Sequence, residues 1–179
     1  MDRYCFTFPT AFGHLAAAVS DAGLVALSWP AGSPEEALAA LGASSQAATP
    51  GSAWAGLVER LQAYYAGECV SFADVPIDWE SVPPFRRRAW TAVQHIPWGC
   101  VRTYAQVARE LGAPGAARAV GGAMAANRLP IVVPCHRVLG SDGRLVGFGA
   151  GLPMKARLLA LEGVRTRQVL DGSSPQWYD

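Results

Sequence analysis

Residues Ile131–Val138 read Ile-Val-Val-Pro-Cys-His-Arg-Val, an apolar run that delivers a thiol, an imidazole and a guanidinium at three successive positions. A cysteine beside cationic or basic groups can have its pKa lowered toward the thiolate, and the thiolate is the nucleophile. Pro134 stiffens the approach and removes one backbone donor. A buried cysteine packed as a small hydrophobe would leave the same letters. The run alone does not separate a reactive Cys135 from a structural one, so the elements that position it must decide.

The 179 residues, 51% hydrophobic and 16% charged, suffice for one large domain or two small ones with a real core. A net charge of +1 gives no global basic signature, so a nucleic-acid surface must come from local clustering of arginine, which occurs in the second half. No apolar run is long enough to span a bilayer, and Met1-Asp2-Arg3-Tyr4 lacks the layout of a signal peptide, which together predict a cytoplasmic protein. Cys5, Cys69, Cys100 and Cys135 are widely separated, without a C-x-x-C pair, and are expected to be reduced thiols.

Taken in order, Tyr4–Phe8, His14–Val19 and Leu24–Trp29 predict a small antiparallel meander. His14 has no second ligand at metal spacing and reads as a strand histidine, and Cys5 reads the same way. Ser33-Pro34-Glu35-Glu36 carries an N-cap, a first-turn proline and a capping-box glutamate, so a helix starts at Pro34 and runs to about Leu41. After a small-residue loop over Gly42–Ser52, Trp54, Leu57, Val58, Leu61, Tyr64 and Tyr65 form the stripe of an amphipathic helix ending near Gly67. Phe72–Trp79 reads as a further strand or an extended segment, and Ser81-Val82-Pro83-Pro84 as a linker. The predicted domains are 1–82 and 83–165, followed by a tail over 166–179.

Beyond the linker the pattern turns helical. Phe85, Ala89, Trp90, Val93 and Ile96 share one face of a helix that begins with Arg86-Arg87-Arg88, a triplet that reads equally as a solvated face. Thr103 and Gln106 make a capping box opening a helix over Tyr104–Leu111, which Gly112 closes. Ala113-Pro114-Gly115 leads to a second helix over Ala116–Ala126, and two short helices joined in this way make a helix-turn-helix. The second helix has one charge, Arg118, and a Gly121-Gly122 pair costing about 2 kcal/mol of helix propensity relative to alanine. Such small residues suit close approach, either by another helix or by a DNA backbone.

From Pro97 to Gly163 the chain resembles the C-terminal domain of the O6-alkylguanine-DNA alkyltransferases, the methylated-DNA–protein-cysteine methyltransferases. The matching pieces are Thr103-Tyr104-Ala105-Gln106-Val107-Ala108, Ala116–Met124 with Asn127, Ile131–Val138, and Gly143–Phe148 followed by Lys155, Leu158, Leu159, Glu162 and Gly163. Their order and intervals make the set highly specific. Residues 1 to about 80 are similar only in plan. The resemblance implies an α+β two-domain protein, with an N-terminal ribonuclease H-like α/β domain holding the small antiparallel sheet and a mostly helical C-terminal domain with a winged-helix-like helix-turn-helix.

The same resemblance implies a function: direct reversal of DNA damage, in which O6-alkylguanine, mainly O6-methylguanine, is flipped from the minor groove of duplex DNA and its alkyl group passes irreversibly to Cys135. Position by position, Cys135 is the acceptor, His136 its general base and Glu162 the carboxylate that orients the histidine, with a bridging water between thiol and imidazole because neighbours on an extended strand point apart. Arg118 fills the space of the flipped base. Tyr104 crowds the target phosphate and protonates the leaving guanine, and Asn127 ties the recognition helix to the active-site segment. Ala117, Ala119, Gly121, Gly122 and Met124 line the DNA-facing helix, while Val133, Phe148 and Arg137 are carried as substrate or DNA contacts. The chain is expected to act as a monomer, with no cofactor, no metal and one turnover per molecule, because a thioether is a poor leaving group.

Two departures stand out. The family often has tyrosine where Phe148 stands, so a hydroxyl contact to the alkylated oxygen is missing while an apolar wall remains. Some members carry an N-terminal zinc site, and Cys5 has no evident partners for one. Among other classes, an alkyltransferase-like lesion-binding protein lacks the reactive cysteine. A transcriptional regulator needs several base-reading side chains where this helix has only Arg118, and a thiol hydrolase needs an oxyanion-hole loop.

Overall fold

The structure is a computed structural model and describes residues 3–42 and 52–164; most of the loop read over Gly42–Ser52, and the tail from Arg165 onward, lie outside the described residues. The chain divides into two compact units, one of residues up to Pro83 together with Arg128–Val133, the other of Pro84–Asn127 and the chain from Pro134 onward. The class is α+β: a three-stranded antiparallel sheet in the first unit and a two-stranded parallel pair among helices in the second.

In the first unit, β1 (Tyr4–Thr10), β2 (Gly13–Ser20) and β3 (Gly23–Leu27) form the expected meander, with Phe8 opposite Leu15 and Ala17 opposite Leu27. Alternation places Phe6 and Phe8 inward on β1, where both are buried. Helix α1 (Pro34–Ala40) starts as its letters predict, with the Ser33 hydroxyl accepting from the Glu36 N–H. Helix α2 (Ser52–Tyr65) buries Leu57, Leu61, Tyr64 and Tyr65. The segment read as a strand or an extended segment over Phe72–Trp79 makes, among the described residues, one bridge, Ile77 to Leu24. Gly23 permits it: at φ +145° a Cβ there would lie 2.6 Å from the Pro76 carbonyl oxygen, which instead accepts from the Leu24 N–H at 2.8 Å. Arg128–Val133 joins this unit through the Leu27 N–H, which donates to the Arg128 carbonyl at 2.9 Å.

The second unit begins with α3 (Pro84–Gln94), which buries Ala89, Trp90, Val93 and Gln94. Next come β4 (Arg102–Thr103) and α4 (Tyr104–Glu110), whose capping box is complete: the Thr103 hydroxyl accepts from the Gln106 N–H, and the Gln106 side chain accepts from the Thr103 N–H. Helix α5 (Ala117–Ala125) buries Val120, Ala123 and Met124 against the unit and is fastened to α3 by the Trp90 indole N–H donating to the Ala123 carbonyl at 2.9 Å. Strand β5 (Val138–Leu139) pairs in parallel with β4, and α6 (Leu152–Leu161) closes the described chain. Helix α6 begins after Gly151, which sits at φ +84°, and carries Lys155, Leu158 and Leu159 inward.

Candidate active site

Cys135, His136 and Arg137 lie on one turn of 3-10 helix, closed by the Arg137 N–H donating to the Pro134 carbonyl at 2.9 Å. The extended conformation assumed for this run is therefore wrong. Residues 129–139 are buried throughout, and a segment buried on every side shows no period to distinguish a strand from a compact turn. Ile131, at φ +71°, shows how sharply the chain bends before the turn. Successive side chains on a 3-10 turn diverge by about a third of a revolution, so the turn sends three adjacent side chains in three directions.

His136 points to Glu162, at the C-terminal end of α6, with Nε2 2.7 Å from Oε1. Arg137 meets the same carboxylate in a two-pronged pair, Nε to Oε2 at 2.8 Å and Nη2 to Oε1 at 2.9 Å, and donates through Nη1 to the Ile96 carbonyl. The Gly99 N–H donates to Oε2 at 3.3 Å. Burial opposes the charge on Glu162, but the hydrogen bonds from His136 and Arg137 outweigh it and hold the carboxyl at about 2. An ionised carboxylate only accepts, so Nε2 of His136 carries the proton and Nδ1 is the basic nitrogen. Burial pulls the His136 pKa below its ordinary range despite the opposite pull of Glu162, so the ring is neutral near pH 7.

Arg137 is thus no DNA contact. It is 5% exposed, and its guanidinium is occupied by Glu162 and a backbone carbonyl. This corrects the reading that placed it on the nucleic-acid surface, and it also means that Arg137 does not lower the thiol pKa. Burial pushes the Cys135 thiol up, while the Asn127 hydrogen bond and the charge of Lys155 pull it partly back. The resting group is a protonated thiol, with Asn127 Nδ2 donating to Sγ at 3.1 Å.

Cys135 opens onto a cavity of about 680 Å³. Tyr104, Ala117, Arg118, Gly121, Met124 and Phe148 line it, so the structure brings these sequence-predicted positions together with the thiol. Ala119 and Gly122 lie on the exposed side of α5, and Val133 is buried with the first unit. Burial, reinforced by Cys135, raises the Tyr104 pKa and keeps its hydroxyl a proton donor. A Cβ at Gly121 would touch the Tyr104 ring at 3.9 Å, whereas at Gly122 it would meet nothing within 4 Å. Among the described residues, no contact demands glycine at 122.

Sequence reasoning assigned no role to Lys155 and predicted no helix around it, although the Gly151-Leu152-Pro153 start was a usable N-terminal signal. Among the described residues, no three His, Cys, Asp or Glu side chains cluster as a metal site, and no helix is long and apolar enough to cross a membrane.

A thiol next to an imidazole in the chain, opening onto a pocket with mostly apolar walls, defines the class: a site that can present a cysteine nucleophile to a bound group. The profile of a family described as 6-O-methylguanine DNA methyltransferase, DNA binding domain, matches residues 84–164. A methylated-DNA--protein-cysteine methyltransferase of Mycolicibacterium paratuberculosis is 54% identical over 110 residues, which are 62% of this chain and 66% of the relative. The crystal structure of Mycobacterium tuberculosis O6-methylguanine methyltransferase is 37% identical and superposes with a TM-score of 0.70 over 90% of this chain and 93% of that one. A crystal structure of Mycobacterium tuberculosis OGT in complex with DNA is 36% identical, with a TM-score of 0.69 over 89% and 93%. The chain belongs to the methylated-DNA–protein-cysteine methyltransferase family.

Proposed function

We propose that the protein repairs DNA by direct reversal, taking the alkyl group of O6-alkylguanine, O6-methylguanine above all, onto Cys135 in one irreversible turnover. The observation that carries this reading is the placement of the Cys135 sulfur, held by Asn127 at 3.1 Å and opening onto the cavity, beside a histidine fixed by Glu162 at 2.7 Å. His136 Nδ1 takes the thiol proton through a bridging water. Sγ attacks the alkyl carbon, the carbon–O6 bond breaks, and its electron pair leaves on the guanine, which the Tyr104 hydroxyl protonates. No oxidant, metal or cofactor enters this balance. Phe148 supplies an apolar wall without the hydroxyl that a tyrosine would add. A lesion-binding protein without transfer is the second reading, and the thiol at position 135 speaks against it.

Duplex DNA is the partner, approached from its minor groove by α5 of the winged-helix-like domain, 83–165, while residues 1–82 form the ribonuclease H-like domain of a cytoplasmic monomer. Charge supports this. Residues 1–83 hold two Lys/Arg against nine Asp/Glu, whereas residues 84–164 hold eleven against three. The net charge of +1 conceals this separation. Those three carboxylates are engaged, Glu110 by Arg102, Asp142 by Arg144 and Glu162 by Arg137. Arg86 and Arg88 on α3, and Arg118 on α5, have no ion pair with them. Helix α5 also starts without a side-chain cap, leaving first-turn N–H groups for phosphate oxygens.

Intact-mass analysis after incubation with duplex DNA containing O6-methylguanine tests the reading: each molecule gains one methyl, mapped to the Cys135 peptide, and absence of that gain overturns it. Arg118→Ala is expected to slow transfer from duplex DNA by about 10- to 100-fold, the equivalent of losing a few kcal/mol of support for the unstacked site, and to leave transfer from the free base nearly unchanged. Equal slowing of both substrates contradicts a base-replacing role. In Arg86→Gln/Arg88→Gln, the slope of log binding constant against log salt on undamaged duplex is expected to fall by about 2, roughly one for each lost phosphate contact.

A further inference from the structure

The chain leaves the thiol at Asn127 and returns to it at Cys135, because the Asn127 amide donates to Sγ at 3.1 Å. The residues between them, Arg128-Leu129-Pro130-Ile131-Val132-Val133-Pro134, hold one polar side chain, that of Arg128. The rest of this loop is stiff. Leu129, Ile131, Val132 and Val133 are buried, the Val133 N–H donates to the Leu129 carbonyl at 2.8 Å, and the Val132 N–H donates to the Pro130 carbonyl at 2.9 Å. A close-packed loop of this kind passes a displacement along instead of absorbing it. Whatever holds its first residue therefore bears on the groups at both of its ends.

Arg128 is held by the first unit, to which it belongs. Its carbonyl accepts from the Leu27 N–H of β3 at 2.9 Å, and its Nη2 donates to the Ser81 hydroxyl at 3.0 Å. Asp78 is near enough to feel its charge. That residue is 2% exposed, and its carboxylate accepts from the Ser20 hydroxyl of β2 at 2.7 Å and from the Glu80 N–H at 2.9 Å. The hydrogen bonds from Glu80 and Ser20 draw the Asp78 carboxyl below its ordinary range against the effect of burial, and the positive charges of Arg3 and Arg128 add to them. A buried ionised carboxylate stays with its donors, because burial without them is unfavourable, so Asp78 is a fixed negative point that attracts the Arg128 guanidinium. An apolar side chain at position 128 would keep the backbone bond to Leu27 and lose both the Ser81 bond and this attraction. We propose that Arg128 is a positioning residue for alkyl transfer: tied to Leu27 and Ser81, it fixes the loop that sets the Asn127 amide against the Cys135 sulfur. The inference rests on Cys135 being the alkyl acceptor. Arg128 acts through Asn127, whose hydrogen bond favours the negative charge that the sulfur acquires as its proton leaves.

Asn127 is the chain's only asparagine, so asparagine carrying nitrogen-15 in its side-chain amide gives a single NH₂ signal that reports the contact with Sγ in the intact protein. Ser81→Ala changes an exposed side chain 47 residues from Arg128 in the chain. It is expected to move that signal, and Arg128→Leu to move it further in the same direction. Arg128→Lys, which keeps the charge and a donor, returns it toward the wild-type position. Methyl transfer is expected to slow by about tenfold in Arg128→Leu and about threefold in Ser81→Ala, since misplacing a reacting group by about 1 Å can cost about 10²-fold. The slowing is the same for duplex DNA and for the free base O6-methylguanine, and binding of undamaged duplex is unchanged. A loss confined to duplex DNA would make Arg128 a DNA contact and overturn the proposal, as would a folded Arg128→Leu with the wild-type amide signal. If Arg128→Leu fails to fold, Ser81→Ala decides alone, and either an unmoved signal or an unchanged rate overturns the proposal. The amide signal needs no DNA, so a wild type that takes up no methyl would sink the repair reading, while the signal still decides whether Arg128 sets the contact at the thiol.

Discussion

Cys135→Ser is expected to gain no methyl from O6-methylguanine DNA, yet to fold and still bind the methylated duplex. The change is small in space: a hydroxyl replaces a thiol on the same turn, and the Asn127 amide that donates to Sγ at 3.1 Å finds an oxygen acceptor in its place. Stability is therefore expected to stay within about 1 kcal/mol of wild type. The chemical change is large. The proposed base, His136, is a buried imidazole whose pKa lies below its ordinary range. It can take a proton from a thiol whose charge is helped by Asn127 and Lys155, but a hydroxyl is far less acidic. Transfer should fall by at least about 10⁴-fold, the scale found when an enzyme's nucleophile is removed. Time courses of protein mass and gel-shift titration on the same DNA check both halves. A serine variant that gains methyl like wild type would move the acceptor elsewhere, and one that loses binding in parallel would leave the step itself unexplained.

How far the letters reach differs from element to element. Ser33 and the Thr103–Gln106 box were legible because a cap is a local bargain between one side chain and backbone three residues on. The meander was legible because aromatic and apolar runs are separated by turn residues such as Ser20-Asp21-Ala22-Gly23, although only β1 buries alternate residues. The turn at Cys135 was not, since burial on every side erases periodicity. Nor was the excursion of Arg128–Val133 into the first unit, whose backbone hydrogen bond to Leu27 and Arg128 side-chain hydrogen bond to Ser81 join positions far apart in the chain. At the site, Cys135, His136, Arg118 and Glu162 could be set in order only through the resemblance. Arg137 was misplaced because its partner lies 25 residues away, and an arginine beside a histidine looks the same whether it faces solvent or a buried carboxylate. Lys155 carried no signal of its own: an isolated lysine on a helix is ordinarily a solvated one.

Glu162→Gln is expected to lose about 3 to 5 kcal/mol of stability, the usual cost of removing one partner from a buried ion pair. An amide keeps the shape of the carboxylate, but it has one accepting oxygen where four donors converge: Nε and Nη2 of Arg137, Nε2 of His136 and the Gly99 N–H. Its own NH₂ must face one of them, and the Arg137 charge is left buried without its counter-charge. Transfer should slow by about 10² to 10⁴, because the carboxylate fixes the Nε2–H tautomer that leaves Nδ1 basic. The two losses separate when transfer is measured at a temperature where the variant is folded by circular dichroism. The acid limb gives an independent check. Glu162 has a folded pKa of about 2, below its ordinary 4.5, so its contribution is complete above about 4.5 and disappears as pH falls toward 2. His136, also lowered, adds a loss in the same direction as pH falls below its ordinary 6.5, since the unfolded ring takes up the proton more readily. Wild type should therefore lose stability steeply from pH 4.5 downward in urea titrations, and Glu162→Gln should show a flatter limb there while keeping any slope due to His136. Equal limbs in the two proteins would mean that the carboxylate is not charged in the folded state, and the tautomer argument for His136 would fall with it.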